Sequence, residues 1–124
     1  MAMAKEVMGG GFSAGQAQAL GGQNGTITAA GSTVTDATLI GASIAIISGA
    51  DGSKGVVLPA GQVGDEIWLF NNSASTLKVY PNTGAGITVT GTGLGTADSV
   101  YSHLTYKTVL YKMQSATQWF IVVT

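Results

Sequence analysis

The chain has 124 residues and a formal net charge of -1; only 9% of its residues are charged, and it contains neither arginine nor cysteine. An ordinary soluble domain carries about a quarter charged residues, so this chain either exposes a neutral polar surface or has much of its surface covered by other protein. The absence of cysteine excludes a disulfide framework and a thiolate metal site. The cations Lys5, Lys54, Lys78, Lys107 and Lys112 are scattered, which argues against nucleic acid and against an anionic membrane surface as partners.

Residues 1–25 are rich in Gly, Ala and Gln with little apolar periodicity. Glycine loses the most entropy on ordering, so this stretch reads as an N-terminal arm, either free or ordered by a partner. Met8, Phe12 and Leu20 are its isolated apolar anchors. Met1 to Leu20 has no continuous apolar segment of the signal-peptide kind. The longest apolar stretch, Leu39 to Ile47, is interrupted by Gly41 and Ser43 and is too short to span a bilayer. The expectation is a protein assembled in the cytoplasm.

From Thr26 onward the pattern is that of β-structure, and residues 26–124 form the expected domain. Ser43 to Ile46 alternates small with large side chains, the period of a strand. Gly49-Ala50-Asp51-Gly52 is a turn cluster. Val56 to Leu58 is a short strand stopped by Pro59, which has no N–H for a ladder. Asp65 to Asn71 is the clearest strand, with Ile67 and Leu69 on one face and Trp68 and Phe70 on the other. Asn72 to Ser75 reads as a hairpin loop, and Thr76 to Tyr80 as the return strand. Ile87 to Thr90 is a further short strand, followed by a Gly/Thr loop from Gly91 to Asp98. Leu104 to Met113 and Gln118 to Val123 form a closing hairpin.

No helical period of useful length appears, and short strands separated by Gly/Pro turns point to an all-β fold. The expected architecture is an antiparallel β-sandwich, jelly-roll-like, or a small barrel. No fixed repeat is visible, which disfavours a solenoid. Two segments, Ile67 to Phe70 and Trp119 to Val123, are apolar on both faces, whereas a sandwich strand normally keeps one face wet. The second face is covered by a neighbouring subunit, by the N-terminal arm, or by the end of a closed barrel. Trp68, Phe70 and Tyr80 are the candidate subunit contacts.

The chemical inventory is thin. His103 is the sole histidine and reads as a plain polar strand residue, since a base needs an orienting partner and a nucleophile. Asp65 and Glu66 are adjacent and therefore face opposite sides of a strand, which does not make the acid and base of a glycosidase. Asp51-Gly52-Ser53 reads as turn chemistry, and Gly91 to Gly95 lacks the spacing of a nucleotide-binding loop. No catalytic residue, metal site or cofactor is expected. The aromatic residues Trp68, Tyr80, Tyr101, Tyr106, Tyr111 and Trp119 leave a sugar-stacking platform as a second possibility.

The segment GVVLPAGQVGDEIWLFNNSASTLKVYPNTGAGI, Gly55 to Ile87, resembles one that recurs in tailed-bacteriophage virion proteins of the capsid-decoration and head-fibre type. Its recognisable parts are the Leu-Pro strand end, the Gly-Asp turn, the strand ending in Asn-Asn, and the Thr-Leu-Lys-Val-Tyr-Pro strand. Gln118 to Val122 is similar to that module's last strand. The resemblance covers about half the chain. It implies a structural virion protein on the capsid exterior: a homotrimeric decoration (cement) protein that binds the major capsid protein, with the arm as its attachment. The alternative it allows is a tail-fibre or spike domain that binds host-surface glycans.

Overall fold

A computed structural model describes residues 24–89, 91 and 93–123. The expected arm and its anchors Met8, Phe12 and Leu20 lie outside the described residues, except that Asn24 and Gly25 already open the first strand. Ten strands follow: β1 (Asn24–Thr28), β2 (Thr38–Leu39), β3 (Ile44–Ser48), β4 (Gly55–Val57), β5 (Glu66–Asn71), β6 (Leu77–Tyr80), β7 (Gly86–Thr88), β8 (Tyr101–His103), β9 (Thr108–Ser115) and β10 (Gln118–Val123). The all-β expectation holds.

The strands form two sheets. The larger, sheet A, runs β1-β3-β5-β9-β10-β7; the smaller, sheet B, runs β2-β4-β6-β8. Pairing departs from the expected antiparallel arrangement. β1, β3 and β5 are mutually parallel, as are β2, β4 and β6, and β7 lies parallel to β10. Between the named strands, antiparallel pairing is confined to β5–β9, β9–β10 and β6–β8, with one isolated antiparallel bridge between Ala30 and Gly55. From β1 to β6 the chain alternates between the sheets, winding in coils like those of a parallel β-helix. It then closes with the β9–β10 hairpin. The segment Asn72 to Ser75 is therefore not a hairpin loop. It is an arch that carries the chain from sheet A to sheet B, so β5 and β6 lie in different layers.

Alternation along each strand builds the core. Ala45 and Ile47 of β3, Ile67 and Leu69 of β5, and Val109, Tyr111 and Met113 of β9 point inward from sheet A, with Trp119 and Ile121 of β10. They meet Val56, Leu77 and Val79 from sheet B and Ile40 and Leu58 from the flanking chain in one apolar cluster. Trp119, the largest of these residues, is fully buried and donates its Nε1–H to Asn82 Oδ1 at 2.8 Å. At about 25 cal/mol per Å² of apolar area removed from water, this shared core holds the two layers together.

Polar groups fix the arches. Asn71 is fully buried at the end of β5. Its Nδ2 donates to Ser75 O at 2.9 Å and to His103 O at 3.2 Å, tying the β5–β6 arch to β8. Its backbone N–H donates to Lys107 O, and its carbonyl accepts from Tyr106 N–H. Thr105 Oγ1 donates to Ser73 O across the same region. The expected strand Leu104 to Met113 begins later, at Thr108, and residues 104–107 form a turn. Tyr106 adopts a left-handed conformation (φ 55°), which turns the chain from β8 in sheet B to β9 in sheet A. On the other flank, Gly86 and Gly95 meet closely enough that a Cβ at Gly86 would strike the Gly95 carbonyl. This contact lets the loop after β7 lie against that strand.

Asn71→Ala removes the buried side-chain hydrogen bonds to the Ser75 and His103 carbonyls. The expected loss is about 1–3 kcal/mol of stability, read as a lower urea midpoint at unchanged slope. A midpoint within error of the parent would show that the arches do not depend on this amide.

Candidate functional site

The inward residues of sheet A leave a second apolar set on its outer side. Cross-strand register assembles this set into rows. Ile44 lies beside Trp68, Trp68 beside Leu110, and Leu110 beside Val122, a single apolar row across β3, β5, β9 and β10. The next row carries Ile46, Phe70 and Thr108. The third carries Glu66, Lys112 and Phe120. Ile44, Ile46, Phe120 and Val122 are 49%, 45%, 40% and 54% exposed, while Trp68, Phe70 and Leu110 are half-buried by their neighbours. β-Branched and aromatic side chains suit a pleated surface, which explains the strands but not why such side chains cluster on a wet face.

Lys112 Nζ and Glu66 Oε1 pair at 3.3 Å at one end of this face. Beyond them, Val63, Gly64, Lys112, Met113, Gln114 and Phe120 line a shallow hollow of about 350 Å³, with Val63 67% exposed at its rim. A soluble monomer rarely exposes a contiguous apolar patch beyond a few hundred Å². The six strands of sheet A, about 4.8 Å apart and about five residues long, present a plane of roughly 500 Å², of which the apolar rows take the four central strands.

Two of the three expected subunit contacts, Trp68 and Phe70, stand on this face. The third does not. Tyr80 is buried (8% exposed), and its hydroxyl donates to Ser32 O at 2.6 Å. It fastens the loop after β1 to sheet B and has little surface left for a partner. Ile44, Ile46, Leu110 and Val122 also belong to the face. Their strands carry the signal, but the parallel β3–β5 pairing that brings Ile44 and Ile46 beside Trp68 and Phe70 is not written in either strand alone.

The carboxylates of the described loops are engaged in turns. Asp36 Oδ1 accepts from the N–H groups of Ser32 and Thr33 and from the Thr33 hydroxyl. Asp51 Oδ1 accepts from Ser53 N–H, Ser53 Oγ–H and Lys54 N–H. Asp65 Oδ2 accepts from Gln62 N–H, and Asp98 Oδ1 from Gly84 N–H. The Thr33 hydroxyl and backbone hold Asp36 below the usual carboxylate range. The Ser53 hydroxyl, with the Ser53 and Lys54 amides, takes Asp51 down to about 2. Among the described residues, no group of three His, Cys, Asp or Glu side chains gathers to hold a metal ion.

His103 is a structural link between the layers. It is fully buried on β8. Its Nε2 lies 2.6 Å from Lys107 O and its Nδ1 lies 2.9 Å from the Tyr111 hydroxyl. A carbonyl only accepts, so Nε2 carries the proton, and the neutral ring then accepts from Tyr111 at Nδ1. Burial lowers the His103 pKa, a shift opposed by the Lys107 carbonyl. Burial also raises the Tyr111 hydroxyl well above its usual range, and Tyr101 adds to this. The aromatic residues do not form one platform: Tyr80, Tyr111 and Trp119 are buried, Tyr101 packs edge-on to Tyr111, and Tyr106 is 58% exposed.

Comparison with family models, with curated proteins and with solved structures gives no match. No helix among the described residues is long and apolar enough to cross a membrane.

Two titrations test the polar framework. The unfolded chain takes up a proton at His103 near pH 6.5, whereas the folded chain resists it. Stability is therefore full above pH 6.5 and falls as the pH drops below it, with a slope approaching ~1.4 kcal/mol per pH unit until the folded ring titrates. Unfolding free energies at pH 7.5, 6.5 and 5.5 should show this slope, and His103→Gln should remove it. A carboxyl NMR titration should place Asp51 at about 2; a midpoint near 3.8 would show that its turn is not formed in solution.

Proposed function

We propose that the protein is a structural virion subunit, a capsid decoration protein that adheres to a phage head shell as an oligomer and has no catalytic role. The observation that supports this reading best is the apolar outer face of sheet A, centred on Trp68, Phe70 and Leu110. Burying a large apolar side chain stabilises an assembly by roughly 1.5–3 kcal/mol, so a few such residues suffice to hold subunits of an oligomer together. Scarce surface charge fits the same reading, because association then rests on shape and apolar contact rather than on steering. The engagement of the loop aspartates in turns and of His103 between the layers fits a structural role.

Adhesion strengthens a shell by mass action: a protein that binds only the assembled state stabilises that state. Repetition over a symmetric lattice multiplies a modest contact. On this reading the major capsid protein is the partner and residues 1–25, with Met8, Phe12 and Leu20, supply the attachment. The fibre or spike alternative, binding host-surface glycans, draws less support, since three of its candidate rings fill the core.

Purified protein mixed with undecorated phage shells should co-sediment with them and raise their disruption temperature. Met8→Ser, Phe12→Ser and Leu20→Ser combined should reduce bound protein at least tenfold. Failure to bind shells, together with a specific hit on a glycan array, would replace this reading with the alternative.

A further inference from the structure

We infer that the outer face of sheet A is a two-fold interface with a second copy of this chain, an inference that deepens the structural-subunit reading and rests on it. The strand order β1-β3-β5-β9-β10-β7 puts the β5–β9 seam at the centre of the sheet. A two-fold axis lying over that seam, parallel to the strands, sets β5 of one copy over β9 of the other and β3 over β10. Height along the strands is unchanged by this rotation, so each residue meets the occupant of its own cross-strand row.

The rows then match. Trp68 of each copy faces Leu110 of the other, Phe70 faces Thr108, and Ile44 faces Val122, because these residues share rows in register. Bulky rings on β5 thus meet the lower side chains on β9 instead of each other. The same operation carries Glu66 of one copy over Lys112 of the other, as they too are a register pair. The charged end of the face is therefore complementary to itself, two opposite pairs and no like-charge contact. Aligned sheet packing at about 10 Å is the geometry such a pairing adopts.

Area and symmetry point the same way. The plane of roughly 500 Å², enlarged by side-chain relief, approaches the ~800 Å² per partner of a standard interface. One self-matching face closes as an isologous pair, whereas the three-fold ring implied by the phage resemblance needs two different patches.

The test is the mass of the full chain in solution by light scattering and native mass spectrometry. The expected species is a dimer of the 12.4 kDa chain. Phe70→Lys and, independently, Ile46→Lys should raise its dissociation constant at least tenfold, while Leu39→Lys on sheet B should not. Glu66→Lys should weaken the dimer, and adding Lys112→Glu should restore it. Near-UV circular dichroism confirms that each variant is folded, and if one is not, the other face variant carries the test.

A monomer, a trimer, or a dimer as sensitive to Leu39→Lys as to Ile46→Lys overturns the inference. So does a monomer in which Lys5 crosslinks to Lys112, since residues 1–23 would then occupy the face. Shell binding separates the two readings. A monomer that still binds shells defeats only the pairing, and a dimer that binds none defeats only the decoration role.

Discussion

Strand β5 carries large apolar side chains on both of its faces, and a two-layer molecule has an interior for only one of them. Ile67 and Leu69 enter the core with almost no exposure, which commits Trp68 and Phe70 to the outside by the two-residue period of a strand. β3, β9 and β10 repeat the arrangement in register, so the excluded side chains merge into one surface. Ile44 and Ile46 of β3, Leu110 of β9 and Val122 of β10 continue it on that side, Leu110 standing between the polar Thr108 and Lys112.

The rest of the molecule holds that surface in place. Asn71 and the His103–Tyr111 pair tie the arches and the two layers with buried hydrogen bonds, where an unmatched group would be costly. Aspartates at Asp36, Asp51, Asp65 and Asp98 close turns by accepting backbone N–H groups. Charge is thus used mainly to shape loops. Long lysine side chains are few, and the Lys112–Glu66 pair at the end of the apolar rows compensates itself.

Much of the strand content was legible in the sequence. β5, β6 and β10 fall where alternation puts them, and the Asp51 turn was readable from its Asp-Gly-Ser chemistry. The two apolar faces of β5 were visible as well, and with them Trp68 and Phe70. Pairing was not legible. Asn24 sits beside Ile44 and Ile44 beside Trp68, offsets of 20 and 24 residues, so the coils carry no fixed period for the eye to find. The four residues Asn72 to Ser75 serve an arch as well as a hairpin, and the long-range bonds of Asn71 and Thr105 decide between them. The cover of Tyr80, the Ser32 loop, lies 48 residues away in the chain, beyond the reach of any local pattern.

Tryptophan fluorescence addresses the central claim, that the outer face of sheet A is buried by another protein surface. In a Trp119→Phe background the signal comes from Trp68 alone. The account predicts a blue-shifted emission, poorly quenched by acrylamide at high protein concentration, that moves to the red and becomes quenchable on dilution. A red, fully quenchable emission at every concentration, unchanged when shells are added, would contradict it.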